Sequence, residues 1–229
     1  MVLLLLYDVK NKIEKISILD KRMGIIIKQA TVDDASFLAQ MILQSSRAGK
    51  KDGLFDVLFG TDDDKIVLEK LEKLTQTEAR SHCHYKNFFI AQMDGKDVGT
   101  LCSYEPRIAT KETFIQALQE IGCGNEIQEP LAIVYECSFD TNRSRLMFDF
   151  MEELDGFMDV GILKALMQKS LLTARVKGYS IVQTIIEIGS LEAELLYKKL
   201  GFKIVDKKEC ESYREIFGRA GVMLLAMEF

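Results

Sequence analysis

Leu191-Glu192-Ala193-Glu194-Leu195-Leu196-Tyr197-Lys198-Lys199-Leu200-Gly201-Phe202 is the stretch on which the reading of the fold turns. Leu191 to Leu200 predicts a helix. Gly201 ends it, because glycine takes the left-handed conformation that closes a helix without a Cβ penalty. Phe202 to Val205 then predicts a strand. Upstream, Ser180 to Ile188 is a strongly apolar strand. Before it, Gly161 to Lys177 predicts a helix closed by Gly178. Leu163, Leu166, Met167, Ser170, Leu171 and Ala174 fall on one side of that helix.

Further out the pattern continues. Leu146, Phe148 and Phe150 alternate with Met147, Asp149 and Met151, the period of a strand; a loop from Glu152 to Val160 follows. Asn87 to Met93 and Lys96 to Tyr104 predict two strands joined by Asp94-Gly95, a hairpin turn that needs positive φ. Ile25-Ile26-Ile27 predicts the first strand, and Thr31, Asp33 and Asp34 open a helix carrying Phe37, Leu38, Met41 and Ile42. Residues 50–60 form a looser stretch, and Thr61 serves as N-cap for a helix with Ile66, Val67, Leu71 and Leu74. Thr110 to Gly124 and Glu126 to Cys137 predict helices. Val222 to Phe229 predicts the last strand. The order is that of an α+β domain around one mixed sheet, with a helical insert, residues 106–144, between the third and fourth strands.

The chain has 229 residues, 48% of them apolar, which suits one domain with a sizeable core. The formal charge is -5, with basic residues interleaved among acidic ones. That balance argues against nucleic acid, which needs a positive face, and suits a cationic amine. Cys83, Cys102, Cys123, Cys137 and Cys210 are widely spaced with no CxxC pair, which predicts a reduced, cytoplasmic chain. The apolar run Met1 to Leu6 is too short to span a bilayer and lacks the features of a secretory leader. Residues 1–22 are expected to be an edge strand or packed arm, or an upstream extension if Met23 is the natural start.

The opening stretch resembles the hallmark N-x-x-A-x-x-L-Y-x-K-x-G-F ending of GNAT N-acetyltransferases. Ala193, Leu196, Tyr197, Lys199, Gly201 and Phe202 match, and Ser190 stands at the Asn position. The resemblance extends over residues 23–229. It implies a mostly antiparallel central sheet flanked by helices, with acetyl-CoA as co-substrate and a small-molecule amine or peptide amine as acceptor. It also implies that the loop Met158-Asp159-Val160-Gly161-Ile162-Leu163 faces the CoA pyrophosphate. Unpaired N–H groups and the partial positive charge of a helix N-terminus favour an anion there. Gly161 matches the family's loop, whereas Met158 and Asp159 depart from it.

The resemblance further implies that the pantetheine arm pairs with the main chain from Phe150 to Leu154, with Met151 and Glu153 beside it, and that Ser190 borders the same ligand. It places Tyr197 as the acid that protonates the departing thiolate. Asp149, among apolar neighbours Met147 and Met151, is a candidate base with a raised pKa; Glu152, Glu153 and Glu187 are rivals. His82-Cys83-His84 has no second ligand pair at useful spacing, so it is not read as a metal site. The departures at Met158 and Asp159 keep a second reading open, a catalytically inactive GNAT-fold protein that binds another ligand or a partner. Self-association, with the insert as a dimer interface or an acceptor wall, fits either reading.

Overall fold

Asp94 and Gly95 both take the left-handed conformation, at φ 51° and 77°, and fold β2 (Phe88–Met93) back onto β3 (Lys96–Tyr104). The hairpin predicted from Asp-Gly is therefore present. The structure is a computed structural model that describes residues 24–140, 144–157 and 161–229. The segment expected to be an arm or extension lies outside the described residues, as do Met158, Asp159 and Val160.

β2 and β3 sit within a seven-stranded sheet. Its other members are β1 (Ile25–Gln29), β4 (Leu146–Glu153), β5 (Ile181–Glu187), β6 (Lys203–Glu209) and β7 (Gly221–Glu228). The order is β1-β2-β3-β4-β5-β7-β6. Every pairing is antiparallel except β4 with β5. The fold is thus α+β with a mixed, mostly antiparallel sheet.

Helices cover both faces. On one lie α1 (Ala35–Arg47), α2 (Leu54–Phe59), α3 (Asp64–Leu74) and the two helices of the insert, α4 (Lys111–Glu120) and α5 (Gln128–Glu136). They pack Leu38, Ile42, Phe55, Leu71 and Phe114 against Phe88, Ile90, Cys102 and Phe150 of the sheet. On the other face lie α6 (Ile162–Val176) and α7 (Leu191–Lys199). Their Ile162, Leu166 and Tyr197 pack against Phe89, Ala91, Phe148, Val182 and Met223. β2 alternates between the two cores residue by residue, as a strand buried on both faces must. Each fully buried Leu or Ile removes enough apolar surface from water to contribute roughly 1.5–3 kcal/mol.

Several expectations are corrected. The looser stretch contains α2, closed by Gly60 at φ 63°. Asp63, not Thr61, caps α3; its carboxylate accepts from the Lys65 N–H at 2.9 Å. β4 runs through Glu152 and Glu153 rather than ending before them. β6 extends to Glu209, and a short helix, α8 (Glu211–Phe217), precedes β7.

The cysteines also differ from the reduced state expected. Cys137, at the C-terminus of α5, is bonded to Cys210 at the N-terminus of α8, while Cys83, Cys102 and Cys123 are free and buried. The bond closes a loop of 73 residues and ties the insert to the β6–β7 connection. In the chain-entropy account such a closure stabilises the fold by roughly 2–4 kcal/mol. Thiol titration of the denatured, unreduced protein should find the three free cysteines. Cys137→Ser should lower the stability by about that amount in urea unfolding. Five titratable thiols without added reductant would refute the pairing.

Candidate functional site

β4 and β5 are hydrogen-bonded only at Leu146↔Val182 and Met147↔Gln183. Beyond that point they part. β5 stays paired with β7 as far as Glu187↔Val222, and β4 stays with β3 as far as Gly99↔Glu153. A break in the β3–β4 register between Thr100 and Cys102 accompanies the parting. Phe150 takes φ 43° there, a left-handed conformation unusual for an aromatic residue. Its N–H donates to Asp149 Oδ1 at 2.8 Å, and its carbonyl accepts from Thr100 Oγ1 at 3.0 Å. The ring lies parallel to Phe88, 5.9 Å between centroids at 12°.

The bulge overrides the alternation expected of β4. Leu146 and Phe148 face α6, and strict period two would send Phe150 after them. Instead Phe150 joins the core under α1, and Met151 turns to the α6 side. Asp149 therefore does not share a face with Met151. It lies opposite Cys102 on β3, and cross-strand partners share a face. That face carries α1 and the insert.

Three expected site residues converge on the opening. Asp149 is half-buried, and burial raises its carboxyl to about 6. Glu152 is pushed up to about 7, chiefly by burial; hydrogen bonds from Ser45 and Gln44 of α1 oppose the rise. Gln44 Nε2 reaches Glu152 Oε2 at 3.0 Å and the Glu153 carbonyl at 3.1 Å, pinning the parted half of β4 to α1. Tyr197 comes from the opposite side of the sheet, on α7, edge-on to Phe202 at 5.1 Å. Burial raises its phenol above the usual value, a hydrogen bond with Thr184 of β5 opposes this, and the charges of Asp149 and Glu152 add to the rise.

The remaining expected ligand-binding residues divide by what they expose. Met151, Ile162 and Leu163 are buried in the α6-side core, so only their main chain is available to a ligand. Gly161, at φ 88°, is the N-cap of α6 and, as a glycine, brings no side chain of its own to the cap. Glu153 is half-buried at the end of β4. Ser190 caps α7 with its Oγ buried and, among the described residues, unpartnered. Gly99 lets α6 approach: a Cβ there would stand 2.8 Å from both the Glu152 carbonyl oxygen and Ile162 Cγ2.

Glu187, a rival base in the sequence, is held elsewhere. Its Oε1 accepts from Lys50 Nζ at 2.8 Å and from the Tyr213 hydroxyl at 3.2 Å, and its Oε2 lies 3.5 Å from Arg219 Nε. Lys50, Tyr213 and Arg219 were not singled out from the sequence; pairings across 137 and 26 residues leave no local pattern. His82 lies among Tyr104, Phe114 and Phe150, and burial lowers its imidazole to about 4. His84 packs on Tyr85 instead, and its Nδ1 accepts from the Lys86 N–H. Among the described residues no group of three or more His, Cys, Asp or Glu is placed to hold a metal ion. Two surface hollows, one by Lys73 and Glu120 and one by Tyr135 and Lys207, lie away from the parted strands. Among the described residues no helix is long and apolar enough to cross a membrane.

No protein-family model and no curated protein matches the sequence. Solved structures match by shape. An N-acetyltransferase from Staphylococcus aureus Mu50 superposes at TM-score 0.65 and 16% identity, covering 88% of this chain and 100% of its own. A polyamine N-acetyltransferase from Drosophila melanogaster that forms N-acetylagmatine gives 0.56 and 12%, covering 90% and 100%. The PaiA N-acetyltransferase from Thermoplasma acidophilum, in complex with coenzyme A, gives 0.51 and 11%, covering 90% and 99%. The chain has the fold of the GNAT N-acetyltransferases across nearly all of their length.

Gly99→Ala tests how the site is positioned. The added methyl must push apart β4 and the first residue of α6, a strain of roughly 1–3 kcal/mol. Chemical denaturation should show a loss of that size. An unchanged midpoint would mean that α6 does not depend on this contact.

Proposed function

We propose that the protein is an N-acyltransferase that moves an acetyl or related acyl group from acyl-CoA to a primary amine. One observation carries the reading. The parting of β4 from β5 at a left-handed Phe150 gathers Asp149, Glu152 and Tyr197 around a single opening, within a fold shared with N-acetyltransferases.

The roles follow from chemistry. Beyond Met147 the β5-facing edge of β4 has no β5 partner. Main-chain N–H and C=O groups on such an edge seek an extended ligand, and a pantetheine arm is one. Main-chain N–H groups at the start of α6, after Gly161, suit its pyrophosphate. The acyl-CoA supplies a thioester carbonyl open to attack.

An amine reaches physiological pH as an ammonium ion and must lose a proton before it can attack. Asp149, raised to about 6, and Glu152, raised to about 7, are ionised enough near neutrality to accept it and basic enough to hold it. Tyr197 remains protonated, so its hydroxyl donates to the sulfur as the carbon–sulfur bond breaks and regains a proton from solvent afterwards. The raised phenol pKa makes complete transfer to a free thiolate uphill. The donation therefore accompanies bond breaking rather than preceding it. Structural neighbours named for agmatine and polyamines make primary amines the first acceptors to assay.

Calorimetry with acetyl-CoA should show saturable binding. No heat and no thermal shift at millimolar ligand would favour a binding protein of the same fold instead. Tyr197→Phe should lower kcat by about a hundredfold with little change in acetyl-CoA affinity. Because the base must be unprotonated, kcat/KM should fall as pH drops through the window from 7 to 6 set by Glu152 and Asp149. Asp149→Asn and Glu152→Gln, profiled separately, assign the limb. A limb unchanged in both variants would leave a water chain as the base.

A further inference from the structure

The Glu187 cluster stands on the same face of the sheet as Asp149. Val182 and Ile186 of β5 pack toward α6 and α7, whereas Ile185 packs toward Tyr213 and Phe217. Glu187, two residues beyond Ile185, shares its face. Three separate segments close on its carboxylate: Lys50 after α1, Tyr213 in α8 and Arg219 before β7.

The charges do not cancel. Two cations face one carboxylate, and donors remain. Lys50 Nζ spends two of its three N–H groups, on Glu187 Oε1 and on the Phe217 carbonyl at 3.0 Å. Among the described residues, Arg219 meets the Gly189 carbonyl through Nη1 at 3.1 Å and approaches Glu187 through Nε at 3.5 Å. The rest of its five-donor fork meets no described partner. Arg219 Nε and Glu187 Oε2 are buried, yet among the described residues neither completes a hydrogen bond. The Lys50 and Arg219 side chains are 18% and 26% exposed, which leaves them within reach of a ligand.

We propose that Lys50 and Arg219 form an anion subsite for the acceptor, which is therefore a small aminocarboxylate rather than a polyamine. This rests on the acyltransferase reading. The position of the cluster along β5 suggests the length of the acceptor. Thr184, whose hydroxyl faces the Tyr197 phenol, and Glu187 are three steps apart on β5, about 10 Å of backbone at the rise of a β-strand. An acceptor whose amine lies at the carboxylates beside Tyr197 places its own carboxylate several bonds away, as in the side-chain amine of lysine or in 6-aminohexanoate. A polyamine would instead bring a second ammonium against surplus positive charge, because the chain's own cations already occupy Glu187.

The test compares 6-aminohexanoate with cadaverine, which replaces the carboxylate with a second amine. Ligand-observed NMR on the intact chain without CoA reads the subsite alone. Thiol release with acetyl-CoA reads transfer. Aminohexanoate should bind at least about tenfold more tightly than cadaverine. Lys50→Met and Arg219→Gln should each remove that preference, while Lys50→Arg should keep it. In turnover the same two variants should raise KM for aminohexanoate and leave KM for acetyl-CoA within about twofold. Circular dichroism checks that each variant is folded. Equal or tighter binding of cadaverine, or a preference untouched in folded Lys50→Met and Arg219→Gln, overturns the subsite. Intact aminohexanoate binding without any acetyl-CoA binding keeps the subsite and overturns the acyltransferase reading.

Discussion

Phe150 is held in a left-handed backbone conformation, and the arrangement of the site depends on that one constraint. An L-residue there costs roughly 1–2 kcal/mol. Nearby interactions offset the cost: the Asp149 carboxylate accepts from the Phe150 N–H, the Thr100 hydroxyl donates to the Phe150 carbonyl, and the ring lies against Phe88. The kink adds a residue to β4 relative to β3 and reverses which face the following side chains take. Without it, Phe150 would follow Phe148 toward α6, and Glu152 and Glu153 would present opposite faces. The parting from β5 at the same place opens the sheet. Groups on opposite faces, Asp149 on one and Tyr197 on the other, can then act through one gap.

The two sides of that gap differ in what they offer. The α6 and α7 side is mostly apolar packing and main chain, with a helix N-terminus at Gly161 and a buried cap at Ser190. The other side carries the side-chain charges: Asp149 and Glu152 near the gap, Glu187 with Lys50 and Arg219 farther along β5. Gln44 joins α1 to β4, Lys50 joins the α1–α2 connection to β5, and the Cys137–Cys210 bond joins the insert to the β6–β7 connection. Segments that would otherwise be independent loops are thereby tied over the charged face.

What the sequence made legible was local. A helix closed by Gly201, the Asp94-Gly95 turn and the apolar side of α6 each depend on a few neighbouring residues with one energetic preference, and each is present. The bulge was not legible, because nothing in Leu146 to Met151 departs from a strand pattern and the groups that hold the kink, Thr100 and Phe88, lie far along the chain. The disulfide and the Glu187 cluster were hidden for the same reason, since their partners are distant in sequence. α8 is too short to show a period. Asp149 and Tyr197 stood out as candidates because one sits among apolar residues and the other within a recognisable motif. Lys50 and Arg219 carry no such mark.

Burial has opposite consequences for stability and for chemistry at Asp149. Its carboxyl rises from 3.8 to about 6, two pKa units or so, on the order of 3 kcal/mol. An acid whose pKa is higher folded than unfolded binds protons preferentially in the folded state. Stability therefore falls as pH rises through the window from 3.8 to 6, and the full cost is present above it. The protein thus carries its largest penalty at this residue at the pH where an ionised base is useful. The same enclosure keeps Tyr197 protonated, so one low-dielectric opening separates an acceptor of protons from a donor of them. A fold with only a few kcal/mol to spare must recover that cost elsewhere. The disulfide and the tethers from Gln44 and Lys50 lie on the face where it is incurred.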